Sequence, residues 1–195
     1  MIDIKTIGIV GAGATGQGIA YLAAAGGYRT VLEDVSRVRL ADSMTWIAET
    51  FDRTIALGKL APDQKNRALA NLVTAHSVEE VCREADLVIE AAAEEMEVKL
   101  EIFTLFDRFA KPGAILASST ASLSIAELAA ITFCAENCVG MHFVPPIVGA
   151  GGLEIARAPA TSEATVAACA EVGRRMGKEV VVVCEPADSA TGAGK

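Results

Sequence analysis

The chain has 195 residues, which is enough for one well-buried domain, and its formal net charge is −8 at pH 7. Hydrophobic residues make up 52% of it and aromatic residues only 5%, the balance expected of a parallel sheet that helices cover on both faces. The acidic balance argues against nucleic acid and anionic membrane surfaces as partners. No apolar stretch reaches about 18 residues without a charge, so the sequence predicts no membrane-spanning helix.

The first predicted strand, 4–10, leads through a glycine-rich turn into a predicted helix at 15–25. A strand, a turn and a helix in this order form a site for a pyrophosphate, because the N-terminus of a helix attracts an anion. Gly11 permits the turn, Gly13 lets the backbone approach the phosphates, and Gly16 lets the helix pack against its strand. The alternative is a glycine turn without a ligand. The full turn is Gly11-Ala12-Gly13-Ala14-Thr15-Gly16.

The second predicted strand, 28–34, ends at Asp34, about 20 residues after the glycine turn. A carboxylate at that place can accept hydrogen bonds from both ribose hydroxyls of an adenosine. The plain alternative is an acidic residue at the end of a strand. Together with the turn, Asp34 predicts a dinucleotide site.

Strands and helices alternate along the rest of the chain, which predicts an α/β fold of the Rossmann type: a doubly wound, mostly parallel sheet with helices on both faces. The apolar run at 180–183 is typical of a strand that is covered on both faces. We predict a dinucleotide-binding domain at 1–185, followed at 186–195 by a flexible tail or the start of a missing second domain. The remaining predicted strands lie at 86–91, 114–118, 139–143, 153–157 and 179–184, and the remaining helices at 36–58, 63–71, 77–84, 97–110, 123–130 and 162–176.

Polar side chains follow three of the predicted strands at their carboxyl ends, where ligands bind in such a sheet. Glu94 follows the strand at 86–91, the run Ser118–Thr120 ends the next strand, and His142 lies near the end of the one after. A neutral imidazole opposite a nicotinamide can take the proton of a substrate hydroxyl, and a carboxylate such as Glu94 would orient it. The alternative for His142 is a hydrogen-bonded structural residue, and we expect His76 at the surface.

The cysteines form no CxxC pair and lie in apolar runs, which predicts reduced thiols in the core of a cytoplasmic protein. We expect no metal site, because no histidine lies close in sequence to Cys134 and Cys138. The N-terminus is acidic and leads directly into the first strand, so we expect no signal peptide. The five cysteines are Cys82, Cys134, Cys138, Cys169 and Cys184.

Several motifs in one register resemble the N-terminal NAD-binding domain of the 3-hydroxyacyl-CoA dehydrogenase family. They span nearly the whole chain and read IGIVGAG at 7–13, GQGIA at 16–20, DLVIEA at 86–91, LAS at 116–118 and GMHF at 140–143. The resemblance implies NAD as the cofactor, His142 as the catalytic base and Glu94 as the carboxylate that pairs with it. The residues predicted to contact the cofactor are Gly11, Ala12, Gly13, Ala14, Thr15, Gly16, Asp34, Ala92, Glu94, Lys99 and Ser119.

The chain departs from the family pattern on the substrate side. After the fifth predicted strand the family usually reads Ser-Asn-Thr-Ser-Ser. This chain has Ser119 in place of the Asn and Ala121 in place of the Ser that contacts the substrate. After its catalytic histidine the family reads Phe-Phe-Asn-Pro. Its Asn, which polarises the substrate carbonyl, is replaced by Pro145 in this chain. The helical second domain of the family, which would begin near 185–186, has no counterpart in this sequence.

Three interpretations follow. The first is an NAD-dependent dehydrogenase that oxidises a 3-hydroxyl to a 3-keto group, with an acyl-CoA as its small-molecule substrate and with homo-oligomers as a further expectation. The second is an NAD(H)-binding module with little or no catalysis, which Ala121 and Pro145 favour. The third is a dehydrogenase for a different 3-hydroxy substrate, since the replaced residues face the substrate.

Overall fold

The computed structural model describes residues 2–185, which form one eight-stranded sheet with helices on both of its faces. The strands are β1 (Thr6–Val10), β2 (Arg29–Glu33), β3 (Leu72–Thr74), β4 (Leu87–Glu90), β5 (Ile115–Ser118), β6 (Cys138–Phe143), β7 (Leu153–Arg157) and β8 (Val180–Cys184). The helices are α1 (Ala14–Ala25), α2 (Arg37–Ala56), α3 (Pro62–Asn71), α4 (Val78–Glu84), α5 (Met96–Phe109), α6 (Ile125–Ala130) and α7 (Glu163–Arg175), with a 3-10 turn at Ala135–Asn137.

The strand order is β3-β2-β1-β4-β5-β6-β7-β8. Neighbouring strands are parallel except β6 and β7, which are antiparallel. The order reverses at β1, from which the chain first proceeds to β2 and later to β4. This confirms the predicted mostly parallel, Rossmann-type sheet, and it places the glycine turn at the crevice where such sheets bind ligands.

The two faces of the sheet carry separate apolar clusters, because successive side chains of a strand point to opposite faces. Ile9 packs in the cluster that contains α1 and α7 side chains, and the next residue, Val10, packs in the cluster of α4, α5 and α6. Phe103 and Phe106 of α5 fill the second cluster with their ring centroids 5.4 Å apart. A second aromatic pair, Tyr21 and Phe51, packs in the first cluster with ring centroids 4.5 Å apart.

The prediction that 180–183 is covered on both faces is wrong. β8 lies at the edge of the sheet, and Val181, Val182 and Val183 are between 41% and 53% exposed. Only Val180 packs against the core. Cys184 is exposed at the end of the same strand, whereas Cys82, Cys138 and Cys169 are buried as expected and Cys134 is half-buried. A continuous apolar run is common to central strands and to this edge strand, so composition did not separate them.

Among the helices within residues 2–185, none has both the length and the apolar character needed to cross a membrane. His76 is exposed, as predicted. The segment 186–195, predicted as a tail or the start of a second domain, lies outside the described residues.

Candidate functional site

Three glycines shape the turn between β1 and α1, each for a different steric reason. Gly11 has a φ of 102°, and a Cβ there would lie 2.6 Å from the carbonyl oxygen of Ala91. A Cβ on Gly16 would lie 1.7 Å from the carbonyl oxygen of Gly11, so α1 packs directly on the turn. A Cβ on Gly13 would meet no atom within 4 Å. Gly13 therefore faces open space, and the fold itself does not require a glycine there.

The N-terminus of α1 offers an anion site. Gly13 is the N-cap residue, no side chain caps the helix, and the first turn contains no acidic residue. The first N–H groups of a helix lack intrahelical partners and carry the positive end of the helix dipole. A pyrophosphate in the space in front of Gly13 would satisfy these groups, so the turn fits the predicted ligand.

Asp34 is fixed at the end of β2 in front of this turn. It is buried, and its carboxylate accepts the N–H of Ala12 at 2.9 Å and that of Ser36 at 2.8 Å. Arg39 of α2 reaches the same carboxylate, with 3.3 Å between Nη1 and Oδ2. The carboxylate is thus held by the glycine turn itself, which aligns it with the place of a ribose. The sequence analysis did not identify Arg39.

A cavity of about 620 Å³ extends from the glycine turn along the carboxyl ends of β2 and β4. One end is lined by Gly13, Thr15 and Asp34, which are polar or expose backbone. The other end is apolar and is lined by Val35, Val78, Val98, Ile102 and Leu105. A polar end for phosphates and ribose and an apolar end for a purine ring are what an adenosine diphosphate moiety requires.

A buried ion pair supports the loop after β4. Lys99 and Glu90 are both fully buried, and the Lys99 ammonium lies 3.0 Å and 2.8 Å from the two oxygens of Glu90. Ser118 donates to Glu90 at 2.7 Å, and Lys99 also lies 3.3 Å from Glu94. The structure therefore places Lys99 beneath Glu94 and not at the surface of the cavity. Any effect of Lys99 on a dinucleotide acts through the position of Glu94.

Glu94 is held by the loop after β5. Its Oε1 accepts the hydroxyl of Thr120 at 2.5 Å and the N–H of Ala121 at 3.0 Å. Partial burial raises the pKa of Glu94, but the hydrogen bonds from Thr120 and Ala121 and the Lys99 charge outweigh it and hold the pKa below its ordinary value. Glu94 is therefore an ionised carboxylate at neutral pH.

The predicted pairing of His142 with Glu94 is wrong. The Nδ1 atom of His142 lies 3.3 Å from Oε2 of Glu154, because the antiparallel register of β6 and β7 places these two residues opposite each other. Glu94 instead makes its hydrogen bonds to the loop after β5. The sequence analysis missed Glu154, since a pairing of β6 with β7 was needed to find it.

The comparisons with known proteins agree with this geometry. A family model described as "3-hydroxyacyl-CoA dehydrogenase, NAD binding domain" matches residues 6–186. This chain belongs to the 3-hydroxyacyl-CoA dehydrogenase family. NAD is accordingly the cofactor of the domain, and the glycine turn, Asp34 and the cavity fit its adenosine diphosphate part.

Individual members of the family show how much of their length this chain matches. It is 40% identical over 179 residues to a 3-hydroxybutyryl-CoA dehydrogenase of Bradyrhizobium diazoefficiens, covering 92% of this chain and 61% of that protein. It is 33% identical to the human mitochondrial hydroxyacyl-coenzyme A dehydrogenase, of which it covers 59%. The crystal structure of (S)-3-hydroxybutyryl-CoA dehydrogenase from Ralstonia eutropha superimposes with a TM-score of 0.90 at 35% identity over 94% of this chain and 65% of that one. The chain therefore spans about three fifths of these family members.

The other predicted cofactor contacts of the 3-hydroxyacyl-CoA dehydrogenase domain are distributed around the same crevice. Ala14 and Ala92 line the cavity, and the N–H of Ala92 donates to Glu90 at 2.6 Å. Ser119 is half-buried after β5, and its N–H donates to the carbonyl oxygen of Glu90 at 2.8 Å. Ala92 and Ser119 are thereby fixed to one buried residue, Glu90, which the sequence analysis did not assign to the site.

The family loop that follows His142 is held by one lysine. Lys178 is buried and donates to the carbonyl oxygens of Ile147, Gly149 and Gly151. A Cβ on Gly151 would lie 2.0 Å from the carbonyl oxygen of Val144, so the loop is folded tightly on itself. Burial lowers the pKa of Lys178. Its three carbonyl partners fix the loop that connects β6 to β7.

Proposed function

We propose that this chain is the cofactor-binding and base-carrying part of a dehydrogenase that oxidises the 3-hydroxyl of an acyl-CoA to a 3-keto group. The observation that carries this proposal is the His142–Glu154 pair. In a chain of this family, the pair lies at the same end of the sheet as the dinucleotide crevice, where the parallel strands have their carboxyl ends. β6 is three strands from β1, which is ~14 Å at the usual strand spacing. Members of the family named 3-hydroxybutyryl-CoA dehydrogenase support the substrate class.

The imidazole of His142 would act as the general base. Its Nδ1 faces Glu154, which leaves Nε2 to accept the proton of a substrate hydroxyl. The Glu154 carboxylate fixes the tautomer and stabilises the imidazolium that forms. NAD, when bound, supplies the acceptor for the hydride. The polar groups between the NAD site and His142 are Glu94, Thr120 and the N–H of Ala121. Glu94 would orient both the cofactor and the substrate there.

The test is NADH formation from a short 3-hydroxyacyl-CoA, measured on this chain fused to the helical domain of a family member. We expect His142→Ala to lower kcat by ~10²–10⁴-fold, the usual contribution of general acid–base catalysis. Glu154→Gln should lower kcat less, because the imidazole remains as the base and loses only the carboxylate that fixes its tautomer and orientation. An unchanged rate for His142→Ala would refute the proposal.

The second candidate is an NAD(H)-binding module with little catalysis, which Ala121 and the exposed Pro145 favour. Tight NADH binding with no turnover in the fusion, on any 3-hydroxyacyl substrate, would support it. Turnover on a 3-hydroxy compound without CoA would instead indicate a dehydrogenase of different substrate range.

Two further expectations belong to this proposal. Three buried free thiols support a reducing, cytoplasmic location. The exposed valines of β8 support self-association into a homo-oligomer, which gel filtration with light scattering would test.

A further inference from the structure

Glu33 is a buried carboxyl group to which neither the sequence pattern nor the proposed chemistry gives a role. It is the last residue of β2, directly before Asp34, and it is only 3% exposed. It lines the cavity of about 620 Å³ described above and also an adjoining cavity of about 500 Å³. Glu33 therefore lies where the two cavities adjoin, together with the apolar residues Val35, Val78 and Leu105, which also line both.

The carboxyl group of Glu33 accepts no hydrogen bond within residues 2–185. Every fully buried side-chain oxygen described there has a partner, so the Glu33 oxygens open onto the cavities that this residue lines. Burial and, to a smaller extent, the neighbouring negative charge of Asp34 together raise the pKa of Glu33 to about 7. The Cys82 thiol of α4 lies on the same face of the sheet, and burial together with the charge of Glu33 raises its pKa to about 12, so it stays neutral. A neutral acid and an ionised one are thus both accessible to Glu33 near physiological pH.

The other charged groups near Glu33 do not compensate its charge. Arg39 from α2 is committed to Asp34. Glu101 from α5 also lines the first cavity and is exposed to solvent. The second cavity is lined by further charged or titratable groups at its mouth, from α2 and from the β3–α4 connection: Arg37, His76 and Glu79.

The two protonation states differ in what they offer a purine. The Watson–Crick edge and the Hoogsteen edge of an adenine each present a ring nitrogen that accepts and the exocyclic amine that donates. A neutral carboxylic acid donates through its O–H and accepts through its C=O, so it can pair with such an edge, whereas a carboxylate only accepts. Covering an ionised carboxylate with a ring would also remove its remaining water, which is costly without a partner.

We propose that Glu33 is a specificity-determining residue for the adenine end of the cofactor and that it binds the purine edge as a neutral acid. Cofactor binding should then take up a proton and weaken as the pH rises through neutrality. This rests on NAD binding by the domain and is independent of the proposed His142 chemistry. Glu33 thereby makes the affinity for NAD sensitive to pH in the physiological range.

The test is the Kd of NADH by calorimetry between pH 6 and pH 8.5. If only the protonated form binds, one proton with a pKa of about 7 predicts Kd to rise by about 30-fold over this range. We expect Glu33→Gln, which keeps a donor and an acceptor, to retain the affinity measured at pH 6 and to lose this dependence. Glu101→Gln is the matched control, because it removes an exposed carboxylate of the same cavity. The Kd of this variant for NADH should keep its pH dependence.

Two ligands and one variant-free measurement complete the design. ADP-ribose contains the adenosine end and should reproduce the pH dependence, whereas reduced nicotinamide mononucleotide lacks adenine and should not. Titrations of the unmodified chain in two buffers of different ionisation enthalpy should report uptake of up to one proton, whether or not the variant folds.

A flat Kd from pH 6 to 8.5, or an unchanged slope in Glu33→Gln, would overturn the role of Glu33 while leaving the dehydrogenase proposal intact. Failure of NADH and ADP-ribose to bind at any pH would overturn the cofactor site as well. If His142→Ala loses turnover while the pH dependence of the Kd for NADH stays unchanged, the role of Glu33 is independent of the role of His142.

Discussion

The two halves of the sheet differ in how many of the groups needed for their candidate sites are present within this chain. In the half from β1 to β4, the backbone turn, the carboxylate of Asp34 and an apolar cleft are all in place for a dinucleotide. In the half from β5 to β8, which contains the His142–Glu154 pair, the connections after β5 and β6 carry Ala121 and Pro145, which have no side-chain polar group, and the edge strand is exposed. The groups available to a dinucleotide lie in the half from β1 to β4 and in the helices that cover it, so cofactor binding can be measured separately from turnover.

The largest effect that tests this contrast is expected at the glycine turn. Gly13→Val should weaken NADH binding by about 100-fold or more, because the side chain would fill the open space in front of α1. Circular dichroism and the Tm should remain close to those of the unmodified chain. Gly16→Val is the contrasting variant: its Cβ meets the backbone at 1.7 Å, so it should lower stability as well as binding. Retained affinity in a folded Gly13→Val variant would place the cofactor elsewhere.

The substrate half should respond to restoration of polar groups. Ala121→Ser together with Pro145→Asn returns the pattern that the family uses, and one lost donor typically costs about 10²–10³ in rate. We expect the pair to raise kcat by ~10²-fold in the fused enzyme without changing the Kd for NADH. A fully active unmodified chain would show that other residues polarise the substrate.

The same contrast explains which features the sequence could predict. The glycine turn and Asp34 are local in sequence and carry their own steric logic, so their positions followed from spacing alone. The alternation of strands and helices placed seven of the eight strands to within two residues at each end. The strand β3 was missed because it has only three residues, Leu72–Thr74, at the edge beyond β2.

What the sequence could not provide was long-range pairing. Glu154 became visible only when β6 and β7 were found antiparallel and in register. The exposure of β8 depends on which strand ends the sheet, and the apolar run of four valines contains no signal for that. Glu33 occupies a position in β2 where the hydrophobic pattern predicts a buried side chain, and only the cavity and the missing partners show that this acid lacks compensation.

A smaller effect is expected for the choice between cofactors. The buried Asp34 carboxylate would repel a 2′-phosphate, and Arg39, which could offset this, is already engaged by it. We expect NADH to bind about 50-fold more tightly than NADPH, because a charge–charge term at ~4 Å remains substantial at the partly buried end of the cavity. Asp34→Asn should narrow this ratio. Calorimetric Kd values for both cofactors decide it, and equal affinities in the unmodified chain would contradict the assignment.

The smallest expected effect is a change in the free energy of unfolding, for which we compare one carboxyl group from each half of the sheet, Glu33 and Glu154. Folding raises the pKa of Glu33 from 4.5 to about 7, so the folded state holds this proton to higher pH than the unfolded state. Its effect on stability is therefore absent below about pH 4.5, becomes unfavourable as the pH rises to 7, and is constant above that. Glu33→Gln removes the penalty and should raise the free energy of unfolding at pH 8 by about 1–2 kcal/mol, less than the full linkage value because water can enter the cavity.

Urea unfolding without cofactor at pH 5 and pH 8 measures this difference, which should be larger at pH 8. Glu154→Gln is the counterpart in the substrate half, where the carboxylate is exposed, and it should change stability by no more than about 0.5 kcal/mol at either pH. A stabilised Glu33→Gln that also binds NADH without pH dependence would mean that the cofactor half accepts a buried acid at the expense of stability. Equal changes for both variants would remove the contrast between the halves, since the Glu33 carboxyl would then behave as a solvated group.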